Sequence, residues 1–541
     1  MRKSIGMVAL ATAATLVFTG CTSGGGGGDE DNTLYVLMPD TEMGWDPATN
    51  VNFPSTYLGL VQRRLTTWAF TADGVEVVPD LATDTGTSNE DGTVWTYTLK
   101  DDIFFEDGTP ITSADIKFGV ERTFDDELAG GLHYHNALLV GGSEYTGPYD
   151  GAGELASIET PDDKTIVFNL TQPFGDWPWL TAMNPFVPVP VGEGEDIAAY
   201  DQQSVASGPY RIESNEAGNE TVLVRNEYWE PSSDDARTAE YDSIVFRQSQ
   251  NPSTVAQTLI SDVGDAQNSI NSSGLSAAEL ALVSADPAAS ERLITSDGGL
   301  EFYVALNNDS EELDDILVRQ AVQYAVDREA IVLALGGEEA AVATSTVIPN
   351  GINGHEESDL YPRDVEKAKE LLAEAGYADG VTLDLWVANE DTAAAEALQQ
   401  ALAEADITVN IAPLDLGVMY GDAMGGNPNY DMFLSYWIGD YPSPGAYIEL
   451  LFQSQYIDGG YNLARMVEPG IDAAIADAIA EPDIDAAVEK WTAIDQSIME
   501  TGSFLPLYLT RNAFLPGSGI AAFEVPAFPS YPNYLTLSQA G

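Results

Sequence analysis

A chain of 541 residues exceeds what one hydrophobic core usually fills, so two or more lobes are expected. Its 87 acidic and 21 basic residues leave a formal net charge of −66, which excludes a nucleic-acid-binding surface, because that footprint is basic. Hydrophobic residues make up 44% and charged residues 20%, ordinary globular values, and the longest apolar run lies at the extreme N-terminus, so no internal membrane span is expected. The acids are scattered along the chain instead of forming a tail, as on a solvated surface adapted to salty surroundings. Screening should then stabilise the fold. The thermal unfolding temperature is expected to rise as salt is added from low to molar levels; a temperature that does not rise with salt would remove this explanation.

Residues 1–20 read as a secretory signal peptide: Arg2 and Lys3, an apolar stretch over 7–18, then small residues. Phe18-Thr19-Gly20-Cys21 is similar to a bacterial lipobox, with Phe18 in place of the usual leucine, and implies lipidation at Cys21. Cys21 is the only cysteine, so no disulfide can form within the chain. Residues 21–32, with five consecutive glycines and an acidic run, cannot bury apolar surface and read as a flexible tether to a membrane anchor.

Residues 33–38 form a first predicted strand, followed by a loop over 39–50 that contains Trp45. Over 57–68, Leu58, Val61 and Leu65 share one helical face, which predicts a helix packed on a sheet. Residues 93–100 alternate, with Trp95, Tyr97 and Leu99 on one face, and predict a half-buried strand. In 102–124, a strand and an Asp107-Gly108 turn precede a helix in which Thr112 and Asp115 form a capping box. Further strands are predicted at 165–170, 209–212, 221–225 and 241–247, and Asn251-Pro252 opens a helix ending near Gly264. A strand over 300–307 leads into a helix over 313–326. Helices at 364–375 and 392–405 then alternate with a strand at 381–387, the pattern of an α/β lobe. Residues 471–500 are helical with a break near Pro482, and 504–509 is a late apolar strand.

The stretch 430–452, YDMFLSYWIGDYPSPGAYIELLF, packs much aromatic surface around one acid. Residues 432–438 read as a buried strand ended by Gly439, so that the Asp440 carboxylate emerges at its end, flanked by Tyr436, Trp437 and Tyr441. A carboxylate in partly dry, aromatic surroundings can hold a ligand cation through a charge-assisted hydrogen bond. The alternative is a buried strand followed by an ordinary turn aspartate.

Several segments carry a family resemblance: DGTPITSADIKFGVERTF (107–124), SGPYRI (207–212), VRNEYWEP (224–231), VRQAVQYAVDREAIV (318–332), DVEKAKELLAEAGY (364–377) and YDMFLSYWIGDYPSP (430–444). Their order and spacing resemble bacterial extracellular solute-binding protein family 5, the peptide- and nickel-binding components of ABC importers. The resemblance implies an α/β fold of two lobes, the type II periplasmic-binding-protein fold, with an extra domain inserted in lobe 1. Lobe 1 would comprise 33–48, 190–300 and 504–541, the insert 49–189 and lobe 2 301–503, with a hinge near Leu300 and Ser503. In oligopeptide-binding members the acid in the W-x-x-D context pairs with the peptide α-ammonium, and Asp440 occupies that place. Those members carry an arginine earlier in the same strand, where this chain has Leu434, and a tryptophan and an arginine before it, replaced here at about Leu416 and Ala423. Trp437, Tyr441 and Tyr436 are candidate cavity-wall residues, with Tyr57 and Asn50 from the facing side.

The implied role is an extracytoplasmic, lipid-anchored, monomeric receptor that captures di- or oligopeptides and delivers them to ABC permease subunits in the membrane. The alternative is the same role for an amine-bearing or cationic compound, a nickel chelate or a glycoside; a secreted hydrolase is a further reading. No G-x-S-x-G, H-E-x-x-H or phosphate loop occurs, and no cofactor is expected. His133 and His135, alternating on a strand, could share a metal, but pairs of this kind more often line a surface or pocket. An adhesin, a third class, would bind a surface without closing on a solute.

Overall fold

A computed structural model describes residues 32–540 except 72, 73, 150, 152 and 427. Cys21, the signal peptide and nearly all of the tether lie outside the described residues. No helix among the described residues is long and apolar enough to cross a membrane.

Two large sheets organise the chain. The first holds five strands in the order Ser269–Asn271, Thr33–Leu37, Ser243–Arg247, Glu220–Arg225, Tyr210–Glu216. Thr33–Leu37 runs parallel to both of its neighbours, and the other two pairings are antiparallel. The second holds six strands in the order Ala341–Ala343, Phe504–Thr510, Glu301–Leu306, Met432–Trp437, Val381–Ala388, Ile407–Leu414. Helices Ile316–Ala325, Val365–Glu374 and Thr392–Ala403 bury their apolar stripes in the core of this sheet. Between the first two strands of the first sheet the chain builds a smaller unit around a four-stranded antiparallel sheet, Thr87–Ser88, Val94–Thr98, Thr165–Asn169, Ile158–Asp162. One buried cluster joins this unit to the second large sheet, bringing Trp177 and Phe186 together with Tyr447 and Trp491.

Local signals place many element ends. Thr112 and Asp115 form the expected capping box at the start of helix Ser113–Arg122. Asn251 accepts the Thr254 N–H, and Pro252 occupies the first turn of helix Pro252–Ser261. The long helical stretch splits at Pro482 into Pro469–Ile479 and Ile484–Thr501, and Gly502, at φ 70°, closes the second.

Three expectations fail. The helix expected over 57–68 stops at Val61, and Thr66–Thr71 is a strand paired with Gly74–Pro79. Tertiary bonds override helical periodicity here, because the backbone N–H groups of Arg63 and Arg64 donate to Ser207 Oγ and Asp80 Oδ2. His133 is not on a strand; it precedes the short helix Tyr134–Leu138, which contains His135, so the strand alternation expected to align the two imidazoles is absent. The boundary at 504 is also displaced. Phe504–Thr510 pairs antiparallel with both Glu301–Leu306 and Ala341–Ala343, so it belongs to the six-stranded sheet, as its almost wholly buried sequence requires.

Buried charge ties the pieces together. Asp80 takes Arg63 Nε at 2.7 Å and Arg237 Nη2 at 2.9 Å, and Arg237 also reaches Asp234 at 3.1 Å, all out of solvent. Arg122 of the smaller unit pairs with Asp46, which follows the first strand, at 2.8 Å and is likewise fully buried.

Glu301 is the exception. Its side chain is buried and neither carboxyl oxygen has a hydrogen-bond partner among the described residues. Burial foremost, and the Asp495 charge second, push its carboxyl well above the usual carboxylate range. The folded protein therefore keeps this proton while the unfolded chain loses it above about pH 4.3, so Glu301 erodes stability as pH rises. Glu301→Gln, a neutral isostere, is expected to raise the unfolding temperature at neutral pH and to change it little near about pH 4. A gain of the same size at both pH values would contradict this account.

Candidate functional site

The site is built from the end of strand Met432–Trp437. Met432 and Leu434 point into the core of the six-stranded sheet, while Phe433 packs on the opposite side. The chain then leaves the sheet through Gly439, where a Cβ would lie 2.9 Å from the Tyr447 ring and 3.0 Å from Ala446 Cβ. That close approach requires glycine. It delivers Asp440 to a cavity of about 500 Å³ whose other walls come from the first sheet and the loops after its strands, and from 51–57 and 531–534. Among the described residues, Asp440 is the one lining residue contributed by 301–503. Facing it are Asn52, Phe53, Tyr57, Phe246, Ser272 and Tyr534.

Burial pushes the Asp440 carboxyl above its ordinary value, and the Tyr134 hydroxyl, which donates to Oδ2, offsets part of that. No cation pairs with it among the described residues. A bound ammonium would satisfy it and reverse the shift.

Of the other predicted residues, Tyr57 lines the same cavity. Its hydroxyl donates to Gly44 O at 3.0 Å and accepts from Asn50 Nδ2 at 3.0 Å, and burial pushes the phenol up to about 12. Asn50 stands behind it, bonding Gly44 O at 3.1 Å and accepting from Asn52, so it fixes the wall without lining the cavity. Trp437 turns away: its Nε1 donates to Ala446 O at 2.9 Å and its ring meets Tyr461 edge-on at 5.0 Å. Tyr436 lies on the far face of the strand against Phe302 at 5.4 Å. Tyr441 is only 4% exposed, packs edge-on to Tyr134 at 6.0 Å and does not line the cavity. Leu434, at the place of the family's arginine, is 1% exposed in the sheet core, so a side chain in this register cannot reach the cavity.

Sequence reasoning missed Asp40, Asn52, Phe246, Ser272, Tyr531 and Tyr534, which come from separate segments and share no periodic signal. His135, 1% exposed, bonds Thr123 Oγ1 at 2.6 Å and sits 6.5 Å, ring to ring, from His133. Burial holds its imidazole down at about 3, so it is neutral. Among the described residues no three His, Cys, Asp or Glu side chains gather to hold a metal ion.

The family model for bacterial extracellular solute-binding proteins, family 5, matches residues 76–459, well over half the chain. The chain belongs to that family. Similar family relatives include the glutathione-binding protein GsiB of Escherichia coli (strain K12) and that of Salmonella typhi. Each is 25% identical over 456 residues, 81% of this chain and 82% of theirs. The fold is that of solved binding proteins. It matches the clavulanic acid biosynthesis oligopeptide binding protein 2 at 26% identity and a TM-score of 0.81, covering 94% of this chain and 95% of that one. The unliganded open form of the periplasmic murein tripeptide binding protein MppA matches at 21% identity and a TM-score of 0.79, covering 94% and 96%. The chain thus has the α/β architecture of periplasmic binding proteins.

Proposed function

We propose that this chain is the lipid-anchored, extracytoplasmic receptor of an ABC importer, and that it captures an amine-bearing solute, foremost a di- or oligopeptide, without cleaving it. The observation that carries the proposal is the position of Asp440: a partly buried carboxylate with no cation partner among the described residues, projected from the second sheet into a cavity otherwise walled by the first sheet and its loops, residues 51–57 and the C-terminal segment. Such a carboxylate is costly to keep charged until a ligand cation arrives. Peptide and glutathione binding by similar proteins supports the substrate class. In this reading lobe 1 comprises 33–48, 190–300 and 511–541, residues 49–189 are the insert, 301–510 form lobe 2, and closure about the crossings presents the complex to permease subunits. Cys21 supplies the membrane anchor and the protein acts as a monomer.

Native mass spectrometry of the purified protein after incubation with a peptide pool tests the proposal. The expected spectrum shows one retained peptide per chain, recovered intact. Absence of any retained peptide would overturn the peptide reading, and shortened peptides in the supernatant would favour a hydrolase.

A further inference from the structure

The lining of the cavity narrows the solute further, an inference that rests on the receptor reading above. Two carboxylates face the space, Asp440 after the second-sheet strand and Asp40 after the first-sheet strand Thr33–Leu37, and among the described residues no lysine, arginine or histidine lines it. Asp40 is an exposed residue at the cavity mouth, and its carboxylate has no hydrogen-bond or ion-pair partner among the described residues; its backbone carbonyl accepts the Ser249 N–H at 2.8 Å. Arg247 sits next to the lining residue Phe246, yet it turns the other way, over the Tyr35 ring at 4.0 Å and onto Asp265 at 2.8 Å. The strand alternation that aims Phe246 at the cavity removes that cation from it.

What remains is suited to positive charge. Phe53, Tyr57, Phe246, Tyr531 and Tyr534 supply aromatic rings, whose faces attract cations. Among the described residues a solute carboxylate would find only neutral donors, such as Ser272, whose hydroxyl has no hydrogen-bond partner there, and would face two like charges inside a chain of net charge −66. We propose that the cavity selects solutes with two positive centres, an amine at Asp440 and a second cation, such as a basic side chain, at Asp40.

Isothermal titration calorimetry with matched dipeptides tests this: lysyl-alanine against norleucyl-alanine, and alanyl-lysine against alanyl-norleucine, with glutathione as the anionic probe. In at least one pair the lysyl peptide is expected to bind about threefold or more tightly than its norleucyl partner, the worth of one ion pair at an exposed carboxylate. Asp40→Asn should reduce that ratio towards one, and glutathione should bind more weakly than either lysyl peptide. Equal affinities within both pairs would overturn the two-cation proposal while leaving the receptor reading intact, as would a ratio that survives Asp40→Asn or glutathione binding as tightly as the lysyl peptides. Failure of every peptide to bind would overturn both.

Discussion

Replacing Asp80 with alanine is expected to lower the unfolding free energy by roughly 3–5 kcal/mol, the cost of removing one partner from a buried ion-pair group. Arg63 and Arg237 meet on this one carboxylate at 2.7 and 2.9 Å, and the Arg64 backbone N–H reaches it at 3.1 Å. Without it, two guanidinium groups lose their nearest shared acceptor in a site closed to water, and among the described residues both keep only Asp234 as an ion-pair partner, Arg63 at 3.5 Å and Arg237 at 3.1 Å. The same network joins residues 63–80 of the smaller unit to residues 233–237 beside the first sheet, so the loss should spread beyond one element. Burial alone would raise the Asp80 carboxyl, but the charges of Arg237 and Arg63 outweigh it and hold the group well below the usual carboxylate range. Its contribution is therefore present above the unfolded-state value of about 3.9 and is lost as pH falls towards the folded value. The gap between wild type and Asp80→Ala, measured from urea midpoints, should be full at neutral pH and shrink in strong acid. An unchanged midpoint at neutral pH would contradict the account.

For Asp440→Asn the expected effect is on binding and not on folding. The substitution preserves shape and an acceptor for the Tyr134 hydroxyl, but removes the charge that would hold an ammonium. A hydrogen bond to a charged group contributes about 2 kcal/mol, so affinity for an amine-bearing peptide should fall about thirtyfold. Because burial raises this carboxyl, wild-type affinity should also weaken with acidification as the group takes up a proton, whereas the asparagine variant should lose that pH dependence. Calorimetry at two pH values reads both effects. Wild-type affinity in the variant would remove Asp440 from the ligand-binding set.

The parts of the fold legible in the sequence were those with local causes. The capping box at Thr112 and Asp115, the Asn251-Pro252 helix start and the break at Pro482 are each decided within a few residues. Thr66–Thr71 was not legible, because its conformation depends on Asp80 and Ser207 taking the N–H groups that a continuing helix would have used. Assignment of Phe504–Thr510 to the second sheet likewise rests on pairing with strands more than 150 residues earlier.

In the site, strand alternation separates the faces of Met432–Trp437 but does not say which face is open, so Trp437 and Tyr441 were expected at a cavity from which packing withdraws them. Gly439 and Asp440 were readable because a glycine ending an apolar strand marks where the backbone must turn. Asp40, Phe246 and Tyr534 converge on that point only through the fold.

The central claim is that the Asp440 carboxylate holds the ammonium of a captured solute. Its most direct test is a calorimetric comparison, on the wild-type protein, of a bound peptide with the same peptide N-acetylated. Acetylation removes the positive charge and little else at the amine, so a fall in affinity of about tenfold or more is expected. Equal affinity for the free and acetylated peptides would contradict the account.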